Sequence, residues 1–320
     1  MRNRRLLACL VAGLALFPGL SSGQTYPSKP FRIVIPFAPG GSSDANARII
    51  SERLAERLGQ AVIIDTKPGA NTIIGTDHVA KSAPDGYTVL LTSTSFVVNP
   101  VLYAKLPYDP LKDLVPITIL SFTPQAIVTH PGFPAKTTKE LIALAKAQPG
   151  KISIGSADSS SLLTGHLFCM LAGVDMQSVN YKGAGPLMID VVGGHVAVGI
   201  SGISSVQGQV RAGRAHLVGV ASTTPSPIFP NASPIGQADL PGFDVLAWFG
   251  VFAPSGTPKD IQHRIHRDLV AVLQNSDVRQ RLIEIGAEPG GPSQEEFDAR
   301  VRKEIAMWAT VVKAAGIKPQ

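Results

Sequence analysis

Gly40, Gly41, Ser42 and Ser43 stand between an apolar, β-branched run, Phe31 to Phe37, and a stretch in which Ala47, Ile50, Leu54 and Leu58 recur at spacings of three and four. The run reads as a buried strand, and Pro36, Pro39 and the two glycines forbid its continuation. The spaced apolar residues form the stripe of an amphipathic helix that Gly59 ends. Strand, glycine turn and helix leave the N–H groups of the first helical turn facing outward where no Cβ blocks an approach, and the helix dipole adds partial positive charge. That is a seat for an anion. Its spacing matches neither the dinucleotide fingerprint nor the phosphate loop, so a nucleotide is not favoured. The same turn also suits a plain βα connection capped by Ser43 or Asp44. Asp44 would repel an anion unless turned inward, which assigns it a role in shaping the loop.

The pattern repeats along the chain. A strand to Leu91 runs into Thr92, Ser93, Thr94 and Ser95; one over Ile152 to Ile154 runs into a loop with Ser156, Ser159, Ser160 and Ser161; one over Val179 to Tyr181 runs into Lys182 and Gly183; and one over Val196 to Ile200 runs into Ser201. Small hydroxyls and glycines are ordinary turn residues, but their recurrence at one end of successive strands makes a convergent polar site. Lys182 and Arg48 are the cations nearest these loops. Trp248 and Phe37 are candidates for an apolar wall, and equally for the core.

Covalent and metal chemistry finds little support. The chain has no G-x-S-x-G elbow, H-E-x-x-H, C-x-x-C or calcium-loop pattern. His263 and His266 lie among Arg264, Arg267 and Asp268, the composition of a solvated helix face. Cys169 sits between apolar neighbours and reads as a buried structural thiol. A serine triad assembled in space leaves a secreted serine hydrolase acting on a small carboxylate ester as the alternative.

The elements that must position these loops alternate strand and helix, which argues for α/β architecture with mostly parallel sheets and ligand beyond the carboxyl ends of the strands. Capping boxes at Thr137 with Glu140 and at Ser293 with Glu296 open two helices. Arg2, Arg4 and Arg5 precede an apolar run to Phe17, with Ser21 and Gly23 before Gln24, the form of a signal peptide over residues 1–23. Half of the formal charge of +6 lies in those three arginines, so the remainder is only mildly basic, and no basic cluster with aromatics suggests nucleic acid.

Longer motifs carry a resemblance. Pro36-Phe37-Ala38-Pro39-Gly40-Gly41 with Asp44, Ala47 and Arg48, Lys67-Pro68-Gly69-Ala70 with Gly75, and Ala83-Pro84-Asp85-Gly86-Tyr87 are joined by Asn99-Pro100, the Leu106 to Asp113 run, Tyr181-Lys182-Gly183 and Trp248-Phe249-Gly250. Together these resemble the tripartite tricarboxylate transporter substrate-binding proteins, the Bug family of periplasmic receptors. The resemblance implies a two-lobed, type II flytrap fold, each lobe a mostly parallel sheet flanked by helices. Lobe 1 would comprise residues 24–123 and 249–320, and lobe 2 residues 124–248, with crossings near Thr123 and Trp248. It implies a periplasmic, monomeric, non-enzymatic receptor without cofactor or metal, delivering a small carboxylate to the membrane permease subunits of such a transporter. One carboxylate is expected over the start of the helix after Gly41, receiving N–H bonds from Gly41 to Ser43, with Thr94 and Ser95 beside it and Ser156, Ser159 to Ser161, Gly183 and Ser201 closing from the other lobe. Asn71, Thr72 and Ile73 stand where the family usually has Gly-Gly-Asn, and Ala197 where it usually has Asp. Mass spectrometry of the exported protein is expected to find a chain beginning near Gln24; an intact leader on a cytosolic species would overturn the export reading.

Overall fold

The computed structural model describes residues 26–40, 42–181 and 183–319. Residues 1–23, expected to be a leader, lie outside them. No helix among the described residues is long and apolar enough to cross a membrane.

The first third builds strand and helix in turn: β1 (Phe31–Ile35), α1 (Ser42–Leu58), β2 (Val62–Thr66), α2 (Ile73–Ala80), β3 (Thr88–Ser93) and α3 (Ser95–Leu102). Ala47, Ile50, Leu54 and Leu58 are the buried stripe of α1, as their spacing predicts. β1 pairs in parallel with β2 on one side and β3 on the other.

β4 (Leu114–Thr129) then runs sixteen residues, and α4 (Thr138–Ala147) opens on the complete Thr137–Glu140 capping box. β5 (Ser153–Ser156), α5 (Ser159–Ala172), β6 (Gln177–Asn180), α6 (Ala184–Gly193), β7 (Val198–Gly202), α7 (Ile203–Arg211), β8 (His216–Val220) and α8 (Ile235–Ala238) make a second α/β unit. β5 pairs in parallel with β6 and β7. The chain returns along β9 (Leu246–Pro254) and finishes with α9 (Lys259–Leu273), α10 (Ser276–Glu284), β10 (Glu288–Pro289) and α11 (Gln294–Ala314).

The two units share one curled sheet, ordered β2-β1-β3-β9-β4-β7-β5-β6, with β8 and β10 also pairing β4. The parallel pairing expected from strand–helix alternation holds in the outer strands of each unit. The strands that join the units run antiparallel: β4 pairs β9 from Leu114 opposite Pro254 to Pro124 opposite Leu246. Beyond Pro124 the same strand pairs with β7 and β8 instead. Proline has no N–H to donate, and Pro116 is accommodated where the β4–β9 register shifts.

The joint is packed with aromatics. Trp248, opposite Phe122 in the ladder, is fully buried and meets Phe297 of α11 edge-on, ring centroids 5.1 Å apart. A Cβ on Gly250 would lie 2.4 Å from the Phe297 ring, so this position must be glycine for α11 to lie on β9. The Trp248 indole N–H donates to Glu304 at 2.9 Å, and Glu304 accepts from Arg300 at 2.9 Å. Through α11, which also packs on α3 and α5, both units are tied to the crossing.

Burial pushes the Glu304 carboxyl above its ordinary value, against the pull of the Trp248 N–H and Arg300. A raised carboxyl favours the folded state while protonated, so its contribution is full below the ordinary glutamate range and is lost as pH rises through the raised value. Glu304→Gln keeps an acceptor for the indole and abolishes the titration. Melting curves between about pH 4 and pH 8 are expected to show the wild type losing stability relative to Glu304→Gln as pH rises. Parallel curves would show that Glu304 titrates as it does in the unfolded chain.

Candidate ligand-binding site

Five helices begin at one cleft of about 430 Å³: Ser42 and Ser43 at the start of α1, Thr94 and Ser95 at α3, Ser159 and Ser160 at α5, Gly183 and Ala184 at α6, and Ser204 and Ser205 at α7 all line it. β1, β3, β5, β6 and β7 end facing the joint, and each strand's following loop delivers a helix N-terminus there. Each such terminus carries unpaired N–H groups and partial positive charge.

The α1 turn is shaped from behind. Gly40 takes a left-handed backbone (φ 85°), and its N–H donates to Asp44 Oδ2 at 3.0 Å. The same oxygen accepts from Arg48 Nε at 2.9 Å, and that hydrogen bond above all holds the Asp44 carboxyl below the usual carboxylate range. Asp44 and Gly40 therefore stand behind the seat and do not line the cleft. Fully buried Asn46 donates to Ser42 O and accepts from Ser121 of β4 at 2.7 Å, tying the start of α1 to the crossing strand.

Across the cleft, Asp158 caps α5 in a capping box with Ser161. Ser161 is consumed by that box and fully buried, so its hydroxyl faces its own cap. Ser156 lines a neighbouring cavity with Tyr103, His166 and Tyr181. Ser201 lines the cleft, Phe37 and Phe249 lend it apolar surface, and Trp248 forms part of its floor with the indole N–H already given to Glu304. Gly41 and Lys182 lie outside the described residues.

Sequence reasoning passed over Asn71, Thr123, Gln125 and Asp158, which also line the cleft. Asn71 reaches it through an unusual backbone: Ala70, Asn71 and Thr72 have φ values of 45°, 49° and 74°. Such a run is strained for residues bearing a Cβ, above all for β-branched Thr72. Asn99 of α3 holds it, donating to Asn71 O at 2.8 Å and to Thr72 Oγ1 at 3.2 Å and accepting from Asn71 Nδ2. The departure at residues 71–73 from the usual Gly-Gly-Asn was the available signal, since glycines suit positive φ. Two contacts span the cleft: Asn71 Nδ2 to Ser159 Oγ at 3.4 Å and Thr94 Oγ1 to Ser160 Oγ at 3.3 Å.

Among the described lining residues Asp158 is the one charged side chain, and none is histidine. No group of three His, Cys, Asp or Glu able to hold a metal occurs among the described residues. His266 is engaged with Pro292 O, and burial pushes the Cys169 thiol up to about 11. The arrangement can hold an anion by N–H and hydroxyl donation, without an ion pair from any described residue.

An open α/β sheet in two units, joined by antiparallel strands with helix starts facing the joint, defines a two-lobed solute-binding receptor. A sequence model of the tripartite tricarboxylate transporter family receptors matches residues 46–317, and the chain belongs to that family. Protein BugT of Bordetella pertussis is 35% identical over 327 residues, covering 99% of each chain. The solved structure of Rhodopseudomonas palustris MatC (Rpa3494) with bound malate is 31% identical, with a TM-score of 0.76 over 90% of this chain and all of that one. R. palustris Rpa4515 with adipate is 32% identical, with a TM-score of 0.80 over 92% of this chain and all of that one.

Asn99 does not line the cleft, yet it holds the strained run that does. Asn99→Ala is expected to lower unfolding free energy by about 1–3 kcal/mol through lost buried hydrogen bonds. Denaturant titration checks this, and an unchanged midpoint would show that the run holds itself.

Proposed function

We propose that this receptor captures one small carboxylate at the start of α1 and delivers it, unchanged, to the membrane permease subunits of a tripartite tricarboxylate-type transporter. The observation that carries this reading is the meeting of five helix N-termini, rimmed by small hydroxyls, at one cleft without a described lining cation. A carboxylate there would take charge-assisted N–H bonds from the first turn of α1, each contributing roughly 1.5–3 kcal/mol. Thr94 and Ser95 would flank it, with Ser159, Ser160, Gly183 and Ser201 closing from the opposite side. Relatives in the same family hold adipate and malate, which supports carboxylate as the ligand class.

The lobes in this reading are residues 24–123 with 249–320, and 124–248, moving about the β4–β9 crossing. Closure is favoured by ligand because ligand binds the closed form better, and a permease that prefers the closed form thereby senses loading. The protein acts as a periplasmic monomer and not as an enzyme. The hydrolase alternative needs a base beside a serine, and among the described residues no histidine lines the cleft.

Thermal shift across a carboxylate panel, followed by calorimetry, tests the reading, because a ligand specific to the folded form raises its melting temperature by mass action. Binding at one ligand per chain, with ligand recovered intact, is expected. Ser43→Ala should weaken it by about fivefold, the worth of one hydrogen bond of about 1 kcal/mol. Sustained ester turnover abolished by one serine substitution would replace the receptor with a hydrolase.

A further inference from the structure

Gln125 opposes Gly202 in the β4–β7 ladder, in the unit that does not carry α1. It lines the cleft yet is only 2% exposed. Its two amide ends differ. Oε1 is sealed inside the protein without a donor, whereas Nε2, which no described group accepts from, is the end left open to the cleft. A sealed, unpaired carbonyl oxygen destabilises a fold, and an apolar side chain of the same shape would remove that cost. Departures of this kind from good packing belong to functional sites. What glutamine adds here over an apolar residue is a pair of N–H donors in the cleft.

Those donors stand beside a helix start. Residues opposite one another in a ladder share a face, so the Gln125 amide lies next to Gly202, which also lines the cleft and has no side chain to take up the space. Gly202 is the N-cap of α7, a helix of nine residues that no side chain caps, and Ser204 and Ser205 of its first turn line the cleft. The free N–H groups and positive dipole end of α7 are therefore presented where Gln125 Nε2 opens.

Resting on the receptor reading above, we propose that Gln125 and the uncapped start of α7 form a second anion seat, which takes the distal carboxylate of a ligand whose first carboxylate lies at α1. The receptor then prefers a dicarboxylate to a monocarboxylate, and to an acid whose far end is an ammonium. A methyl end leaves the donors without an acceptor, and an ammonium offers only further donors and is repelled by the helix dipole. Asp158, the one charged side chain among the described lining residues, is engaged elsewhere. Its Oδ1 accepts from Ser161 N at 2.7 Å and Ser161 Oγ at 3.0 Å, and the dipole of α5, which it caps, offsets its charge. Were that charge free to act, an ammonium would be the favoured far end, so the experiment includes one.

Calorimetry on the mature chain sets succinate, glutarate and adipate each against the monocarboxylate and the ω-amino acid of the same carbon number. At the length that binds best, the dicarboxylate is expected to bind about tenfold or more tightly than either competitor, the worth of a hydrogen bond to a charged group. Gln125→Met keeps the shape and removes both amide ends. Without ligand it should melt no lower than wild type, because the sealed oxygen is gone. It should lose about tenfold in affinity for the dicarboxylate and less than about twofold for the monocarboxylate. Equal or tighter binding of a competitor to wild type overturns the second seat, and a preference unaltered in folded Gln125→Met overturns the part given to Gln125; both leave the receptor reading intact. A chain that binds other carboxylates but none of these dicarboxylates refutes this proposal alone, whereas one that binds no carboxylate refutes both. The wild-type comparison stands without any variant, and Gln125→Leu serves should Gln125→Met not fold.

Discussion

The antiparallel ladder between β4 and β9 is the constraint on which the other features depend. Only there does the chain pass between the two α/β units, once in each direction, and both passages lie side by side from Leu114–Pro254 to Pro124–Leu246. Because β4 continues past Pro124 into a second set of partners, one strand orients both units. Loops following the parallel strands of each unit are thereby turned toward the same crevice. The aromatic packing of Trp248, Phe252 and Phe297 backs the floor of that crevice.

In the function proposed above, anion recognition is a property of backbone direction more than of side-chain charge. Helix N-termini present fixed dipoles that need no long side chain to be ordered, so their donors are organised before ligand arrives. In the acid nearest the start of α1, Asp44, Oδ2 accepts from both Gly40 and Arg48 behind the cleft. Contacts across the cleft are neutral and long, at 3.3 and 3.4 Å. Bonds of that kind hold two lobes together weakly, as suits a receptor that must also release.

Strain is concentrated at Ala70–Thr72, where three successive residues with side chains adopt positive φ. Asn99, fully buried on α3, meets the run with both ends of its amide. The strained run presents Asn71 to the cleft, so a change of sequence in a turn becomes a change in what lines the cleft.

Much of the local structure follows from sequence because its causes are local. The apolar spacing of α1, the Gly59 that ends it, and the boxes at Thr137 and Ser293 act within a few residues, and each is where pattern places it. The hydroxyl loops at Thr94, Ser159 and Ser201 were legible as candidates for the same reason, since strand ends followed by glycine and serine are short-range signals. β4 was not legible. It is long and central, carries Pro116 and Pro124, and shows no clean alternation because both its faces are covered. The roles of Ser161, Trp248 and Gln125 were equally hidden in sequence. Whether a serine caps its own helix or faces a cleft, which way an indole N–H points, and whether a glutamine finds a partner depend on residues tens of positions away, and only the tertiary packing around the β4–β9 joint decides them.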